Sequence, residues 1–489
     1  MATYTPASYT ATAVPSAYEL HVMKRLGCGW SPSTLAAVRA AGGIEAWLAQ
    51  QLEPDSVPES PLVAQVDAWF PDLRRTPAQK AADNASKRKQ HYKYGLDLAN
   101  WTTLRRVHST RPVLETMLDF WANHLHVSTG DEKAYTHLYD YHLVLRQHAL
   151  GRFEDLLVAA STHPAMLLYL DNFRSVRNAP NENQGRELLE LHTVTTEAGY
   201  SEDMVKDSAK LLSGWTVDWG GSYEGFYNTA AHTTGAVEVL GFSHPNTSSD
   251  GRAACEAYLR HLARHPATAR TVAHRLAVRF VGDTPSDGLV AHLASVFTQS
   301  GTDIKATLLA LVAHPEFRAS AGQKVSTPVD DMVATLKALG VRGRAPTRDY
   351  GAGSYPLHLQ YHHRGLRLFS WPRPDGCPET NFEWTSGIRM LGSYRFHWDL
   401  AGAYYPKADV SFVSARSRVP RSRLSFALYF DHLSRTLLGR PSTSRTLKAA
   451  CLATGLSPST VVTPSHAVGG WMFPHVASVL LDSPEHLTR

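Results

Sequence analysis

The sequence predicts an all-α protein, a large multi-helix bundle with one small β-hairpin insertion. Three observations carry that reading. Apolar residues recur at helical spacing along most of the chain. Proline-led capping signatures open several of those runs, and strand signals are confined to one short stretch.

Taken in order, segment 31–51 places Leu35, Val38, Ile44, Trp47 and Leu48 at mixed helical spacing, with Ser31 as N-cap and Pro32 in the first turn. Segment 112–126 repeats the pattern through Leu114, Met117, Leu118, Trp121 and Leu125. Helical runs also fit 137–160, 164–171, 181–195, 202–213, 252–263, 267–281, 287–298, 303–312, 327–339 and 422–437. His163, His265 and His314 each precede a proline and read as helix caps rather than ligands. The hairpin falls at 222–242, where aromatic and β-branched residues flank a Thr-Gly turn. Residues 76–92 are polar and read as a mobile excursion. Residues 340–376, rich in Gly, Pro, His and Arg, form a boundary or functional loop that includes His362, His363 and Arg364. Residues 1–340 are thus a helical core. Residues 341–489 form a loop-rich segment with C-terminal helices, packed on the same unit.

Composition excludes several classes. The 489 residues are 43% hydrophobic and 19% charged, too apolar for a disordered chain, and no window approaches a membrane span. The first 20 residues lack Lys and Arg, so no secretory signal is expected and a cytoplasmic setting follows. A net charge of +5 is too small to imply nucleic acid. The four cysteines stand far apart with no CxxC, which argues against thiolate zinc and a disulfide framework. No GxSxG, HExxH, P-loop or dinucleotide fingerprint is present.

The most unusual stretch is NENQGRELLELHT at 181–193. On an α-helix Glu182, Arg186 and Glu190 form an i, i+4, i+8 ion-pair ladder, and Glu187 is three residues before Glu190. His192 then lies about 140° round from Glu187, so a shared ion requires the helix to end near Leu191 or ligands from elsewhere. The helix with Glu115, Asp119, Asn123, His124 and His126 offers such ligands. Helical bundles hold iron or manganese with inward carboxylates and histidines, but the doubled Glu-x-x-His pattern is missing here. Two readings stand: a salt-bridge network that fixes helix register, or a metal or catalytic site.

That run, together with FWANH at 120–124, LRQHALG at 145–151, PAMLLYLDN at 164–172, LLSGWT at 211–216, HPATAR at 265–270, RPDG at 373–376 and SPE at 483–485, resembles a bacterial family known as domain of unknown function 1800. The resemblance covers nearly the whole chain and implies one long helical unit. Among the motif residues are Asn123, His124, Arg146, His148, Asn181, Glu182, Asn183, Arg186, Glu187, Glu190 and Trp215. The family pattern admits phenylalanine at His192 and serine at His314, and an aromatic is common at Cys28 and Cys377, so neither cysteine reads as a family nucleophile.

The functional expectation is a metal-dependent enzyme, an oxidoreductase or tailoring enzyme, with its site between the two helices. Glu187, Glu190, His124, His192 and His148 are the expected metal ligands; Glu187, Glu190, Arg186 and Arg146 are the expected catalytic groups. The ion is a divalent metal, iron or manganese before zinc or copper, and the substrate a small molecule or peptide. A metal-assisted hydrolase or lyase fits the same residues. The alternative is a non-catalytic helical scaffold that binds a peptide, polysaccharide or protein partner.

Overall fold

The structure is a computed structural model that describes residues 4–346 and 368–489. Helix succeeds helix from Ala17 onward, and short polar side chains start most of them. Ser31 accepts the Thr34 N–H, Ser201 that of Met204, Asp303 that of Ala306 and Thr327 that of Asp330. The His-Pro dipeptides behave as the sequence predicts. Nδ1 of His163, His265 and His314 accepts the backbone N–H two residues on, at 3.2, 3.2 and 3.3 Å.

Several runs that look continuous in sequence are broken. Residues 31–51 form Pro32–Ala40 and Ile44–Gln51, parted at Gly42 and Gly43, whose φ angles of 94° and 130° no helix can hold. Residues 137–160 divide into Leu138–His148 and Phe153–Ser161.

The expectation of a mobile excursion at 76–92 is corrected. Pro77–Ala85 is a helix with a Thr76/Gln79 capping box, and the next helix begins at His91. The polar residues look like a loop in sequence because they pair with one another. Asp83 receives Arg75, Arg88 and the Tyr94 hydroxyl, Lys89 pairs with Asp72 and Asp97, and buried Lys80 donates to the Thr136 carbonyl at 2.9 Å.

The hairpin region is also rearranged. Trp215–Val217 pairs with Gly225–Tyr227, and Val237–Val239 with Phe242–His244, so the Thr-Gly pair lies between two hairpins instead of turning one. Two further two-residue ladders tie Arg342–Gly343 to Val410–Ser411 and Leu424–Ser425 to Val461–Val462. The chain remains predominantly helical. His362, His363 and Arg364 lie outside the described residues. Among the described residues, no helix is long and apolar enough to cross a membrane.

The core surrounds the helix Pro112–His124, whose Met117 and Trp121 are fully buried. The helix Pro328–Ala338 packs against His91–His108, Gly387–Ala401 and Phe426–Leu438, and so joins the early helices to the late ones. Residues 487–489 run antiparallel to 324–326. Ser326 N–H donates to the Leu487 carbonyl at 2.9 Å, and Arg489 N–H to the Lys324 carbonyl at 2.8 Å.

Candidate functional site

The unusual motif is held by its own polar residues. Asn181 Oδ1 accepts the Asn183 N–H at 2.9 Å, Asn183 Nδ2 donates to the Leu170 carbonyl, and Gln184 Nε2 donates to the Ser161 carbonyl at 2.6 Å. Gly185 lies against the helix Glu202–Leu212 so closely that a Cβ there would meet the Ala209 nitrogen at 2.9 Å and the Val205 carbonyl at 3.2 Å. Arg186 forms a two-pronged pair with Glu202 at 2.7 and 2.8 Å and reaches Glu182 at 3.6 Å. The first rung of the expected ladder is therefore present, but the strong partner is Glu202.

The helix then changes character. Asn183–Glu187 is α-helical and Leu188–His192 is a π-helix, which ends at Thr193 with φ −132° and ψ −102°. An i→i+5 ladder brings residues five apart over one another. The angular separation of Glu187 and His192 expected for a regular helix therefore does not apply.

Glu187 is half-buried beside the segment Trp371–Asp375. Burial raises its pKa, the charges of Glu190 and Asp375 raise it further, and Arg186 opposes them. Trp371 Nε1 donates to Asp375 at 3.0 Å, and the Trp371 carbonyl accepts His126 Nε2 at 2.9 Å. The buried Tyr169 hydroxyl, within the field of Asp131, Asp375 and Glu187, has no hydrogen-bond partner among the described residues. Asn123 fastens the loop. Its Oδ1 accepts the Cys377 N–H at 2.6 Å and its Nδ2 donates to the Cys377 carbonyl, while Gly376, at φ 78°, leaves room for the Asn123 carbonyl. Asn123 thus fastens the loop that carries Asp375, whose charge acts on Glu187.

The remaining expected site residues lie elsewhere. His124 Nε2 donates to the His192 carbonyl at 3.1 Å, with the rings 6.4 Å apart among Phe120, Trp121 and Phe153. Burial, then the Arg275 charge, holds His124 well below the usual histidine range and pushes His192 down to about 3. Both rings are therefore neutral. Arg146 is paired with fully buried Glu115 at 2.8 Å, and Arg105 reaches the same carboxylate at 3.5 Å. His148 is half-buried at the end of its helix, away from any such cluster. None of the five expected ligands belongs to a group of three converging His, Cys, Asp or Glu donors among the described residues.

One such group does exist, formed by Asp331, His397 and His486, whose ligand atoms all lie within 4.8 Å of one another. Three helices supply it: Pro328–Ala338, Gly387–Ala401 and Pro484–Leu487. His397 Nε2 is 2.9 Å from Asp331 Oδ1, and His486 Nε2 is 3.5 Å from the same oxygen and 2.8 Å from the Thr335 hydroxyl. Behind His397, Nδ1 meets Asp482 at 2.7 Å; Ser393 donates to the second Asp331 oxygen at 2.6 Å, with Arg389 3.7 Å away. Burial opposes charge on His397, yet Asp331 and Asp482 outweigh it and hold its pKa above the ordinary value. Burial pushes His486 down to about 4. The pocket is thus arranged for one cation between Asp331 and the two imidazoles, either a proton on His397 or a metal ion. Two imidazoles, a carboxylate and a second carboxylate on the distal ring nitrogen suit iron, manganese or zinc. No sequence signal marks this group, because its members come from three separate helices and share no spacing motif.

Fold and site together define a large helical protein with buried polar clusters between its helices. The family model described as "Protein of unknown function (DUF1800)" matches residues 21–488, and the chain belongs to that family. No curated protein and no solved structure matches it.

Proposed function

We propose that this protein is a metal-dependent enzyme whose ion is held by Asp331, His397 and His486. The observation that carries the reading is the convergence of these three donors with Asp482 behind His397. Oxidoreductase or tailoring chemistry on a small molecule or peptide comes first, because two histidines and one carboxylate leave coordination positions open, as in non-haem iron oxygenases. The same donors suit a metal-assisted hydrolase or lyase. His486 also lines a small cavity of about 30 Å³ on one side of the group. A cytoplasmic setting belongs to this proposal and fits the four free thiols.

A second reading rests on Glu187. A half-buried carboxyl with raised pKa, within the field of Asp375 and acting on a tyrosine hydroxyl unpartnered among the described residues, suits a general acid or base. This reading needs no metal.

Elemental analysis of the untagged chain, purified without chelator, tests both. The proposal expects stoichiometric iron or manganese that is lost in His486→Gln and kept in Glu187→Gln. Metal lost in Glu187→Gln and kept in His486→Gln moves the ion to Glu187. Protein that takes up no metal on reconstitution overturns the metalloenzyme reading and leaves Glu187.

A further inference from the structure

The cavity that His486 borders carries an excess of positive charge. Its walls include Lys24, Arg25, Arg106 and Arg489, against the carboxylates of Asp330 and Glu485. Asp330 is fully engaged and Glu485 in part, its buried Oε2 having no hydrogen-bond partner among the described residues. Asp330 serves Arg106 at 3.0 Å, Arg489 at 3.0 Å and Arg279 at 3.2 Å, and Glu485 pairs with Arg445 at 3.0 Å.

Arg25 is the residue left over. It is 1% exposed, and its hydrogen-bond partner among the described residues is Ser320, whose carbonyl accepts from Nη2 at 2.6 Å. Among the described residues its Nε and Nη1 have no hydrogen-bond partner, and neither do Nε and Nη2 of Arg489. Lys24 spends its ammonium on the carbonyls of Glu485 and Thr488 and meets no carboxylate. Burial, with Arg489 and Arg279 adding like charge and Asp330 opposing them, drives the Arg25 pKa well below the guanidinium range, and burial brings Lys24 down to about 7 against the charge of Glu485. A buried guanidinium with no salt-bridged carboxylate of its own is unfavourable unless something brings the charge in. Planar guanidinium groups with free N–H edges suit the oxygens of carboxylates and phosphates.

We propose that this cavity is a binding site for a small oxyanion, a carboxylate or phosphate group, held by Arg25 and Arg489 with Lys24 beside them. The site stands on its own charge and geometry and does not depend on the metal reading. If both sites are filled, the anion lies against the His486 side of the ion.

Calorimetric titration of the full chain with sodium phosphate, against sodium chloride at matched ionic strength, tests the proposal, and it is run on protein both as purified and after chelator treatment. The expected result is saturable binding in both preparations, weakened at least tenfold by Arg25→Gln and less by Arg25→Lys. In chloride Arg25→Gln should melt no lower than the wild type, because it removes a buried charge with no salt-bridged carboxylate of its own; phosphate should raise the melting temperature of the wild type alone. Competition by succinate distinguishes the source: displacement of phosphate at lower concentration assigns a carboxylate ligand, and failure to displace it assigns a phosphate. The absence of saturable phosphate binding, equal affinity in Arg25→Gln, or a lower melting temperature for that variant in chloride would overturn the proposal. Loss of binding after chelation alone would assign the anion to the metal and likewise overturn it.

Discussion

Nδ1 of His397 lies 2.7 Å from Oδ1 of Asp482, on the side of the ring opposite Asp331. This contact fixes the ring orientation and keeps Nε2 directed at Asp331. A carboxylate behind a metal-bound imidazole raises its basicity, and losing it typically weakens metal binding by about 10–100-fold. Asp482→Asn is therefore expected to lower metal affinity by that factor while the far-ultraviolet circular dichroism stays unchanged. Chelator competition measures it, and undiminished affinity would count against His397 as a ligand.

Arg146 and Glu115 form a buried ion pair, and the expectation is that the pair supports the fold. Glu115 is 1% exposed and receives Arg146 at 2.8 Å. Glu115→Gln leaves two arginines facing a neutral amide, at a cost of about 3–5 kcal/mol. Urea denaturation should show that loss, with metal content unchanged. A stable variant that has lost activity would return Arg146 to the catalytic list.

Gly185 and Arg186 are neighbours in sequence with opposite expected sensitivities. An added methyl at Gly185 presses on the backbone at Val205 and Ala209, so Gly185→Ala should destabilise by about 1–3 kcal/mol. Arg186 holds the exposed Glu202 in solvent, and Arg186→Ala should leave the melting temperature essentially unchanged. Equal losses from both substitutions would mean that the motif helix is tethered from its solvent side.

Acid should unfold this protein early. His21, His137, His142 and His192 are buried, and burial lowers their pKa values to about 4, 4, 3 and 3. In the unfolded chain each titrates near the ordinary value of about 6.5. Their contribution is complete above that value and falls away as the pH drops from 6.5 toward 4, because the unfolded chain takes up protons that the fold refuses. Each contributes a slope of about 1.4 kcal/mol per pH unit, or about 5 kcal/mol per unit for the four together. Urea midpoints at pH 7, 6 and 5 should fall progressively, and a constant midpoint over that range would refute the assignment.

Local features were legible in the sequence and distant ones were not. Helix starts at Ser31, His163, His265 and His314 follow from adjacent residues, because a cap needs a side chain within two or three positions of its amide. The predominantly helical class follows from periodicity in the same way. The excursion at 76–92 is misread because composition does not show that Asp83 meets Arg88 or that Lys89 meets Asp72 and Asp97. The motif at 181–193 is recognisable, but an α-helical period misplaces its side chains once the backbone becomes a π-helix at Leu188. Asp331, His397 and His486 leave no local trace at all, since only packing of three helices brings them together.

The contact between Thr335 and His486 spans 151 residues, and it sets a schedule for the protein's synthesis. A ribosome adding about 5–20 residues per second leaves the helix Pro328–Ala338 waiting roughly 8–30 s for its last partners. Throughout that interval Asp331 has no His486, Asp330 has no Arg489, and the apolar face that later receives the helix Phe426–Leu438 stands open. The nascent chain therefore carries an uncovered apolar face until residues 484–489 emerge, and both buried clusters close in the same late step.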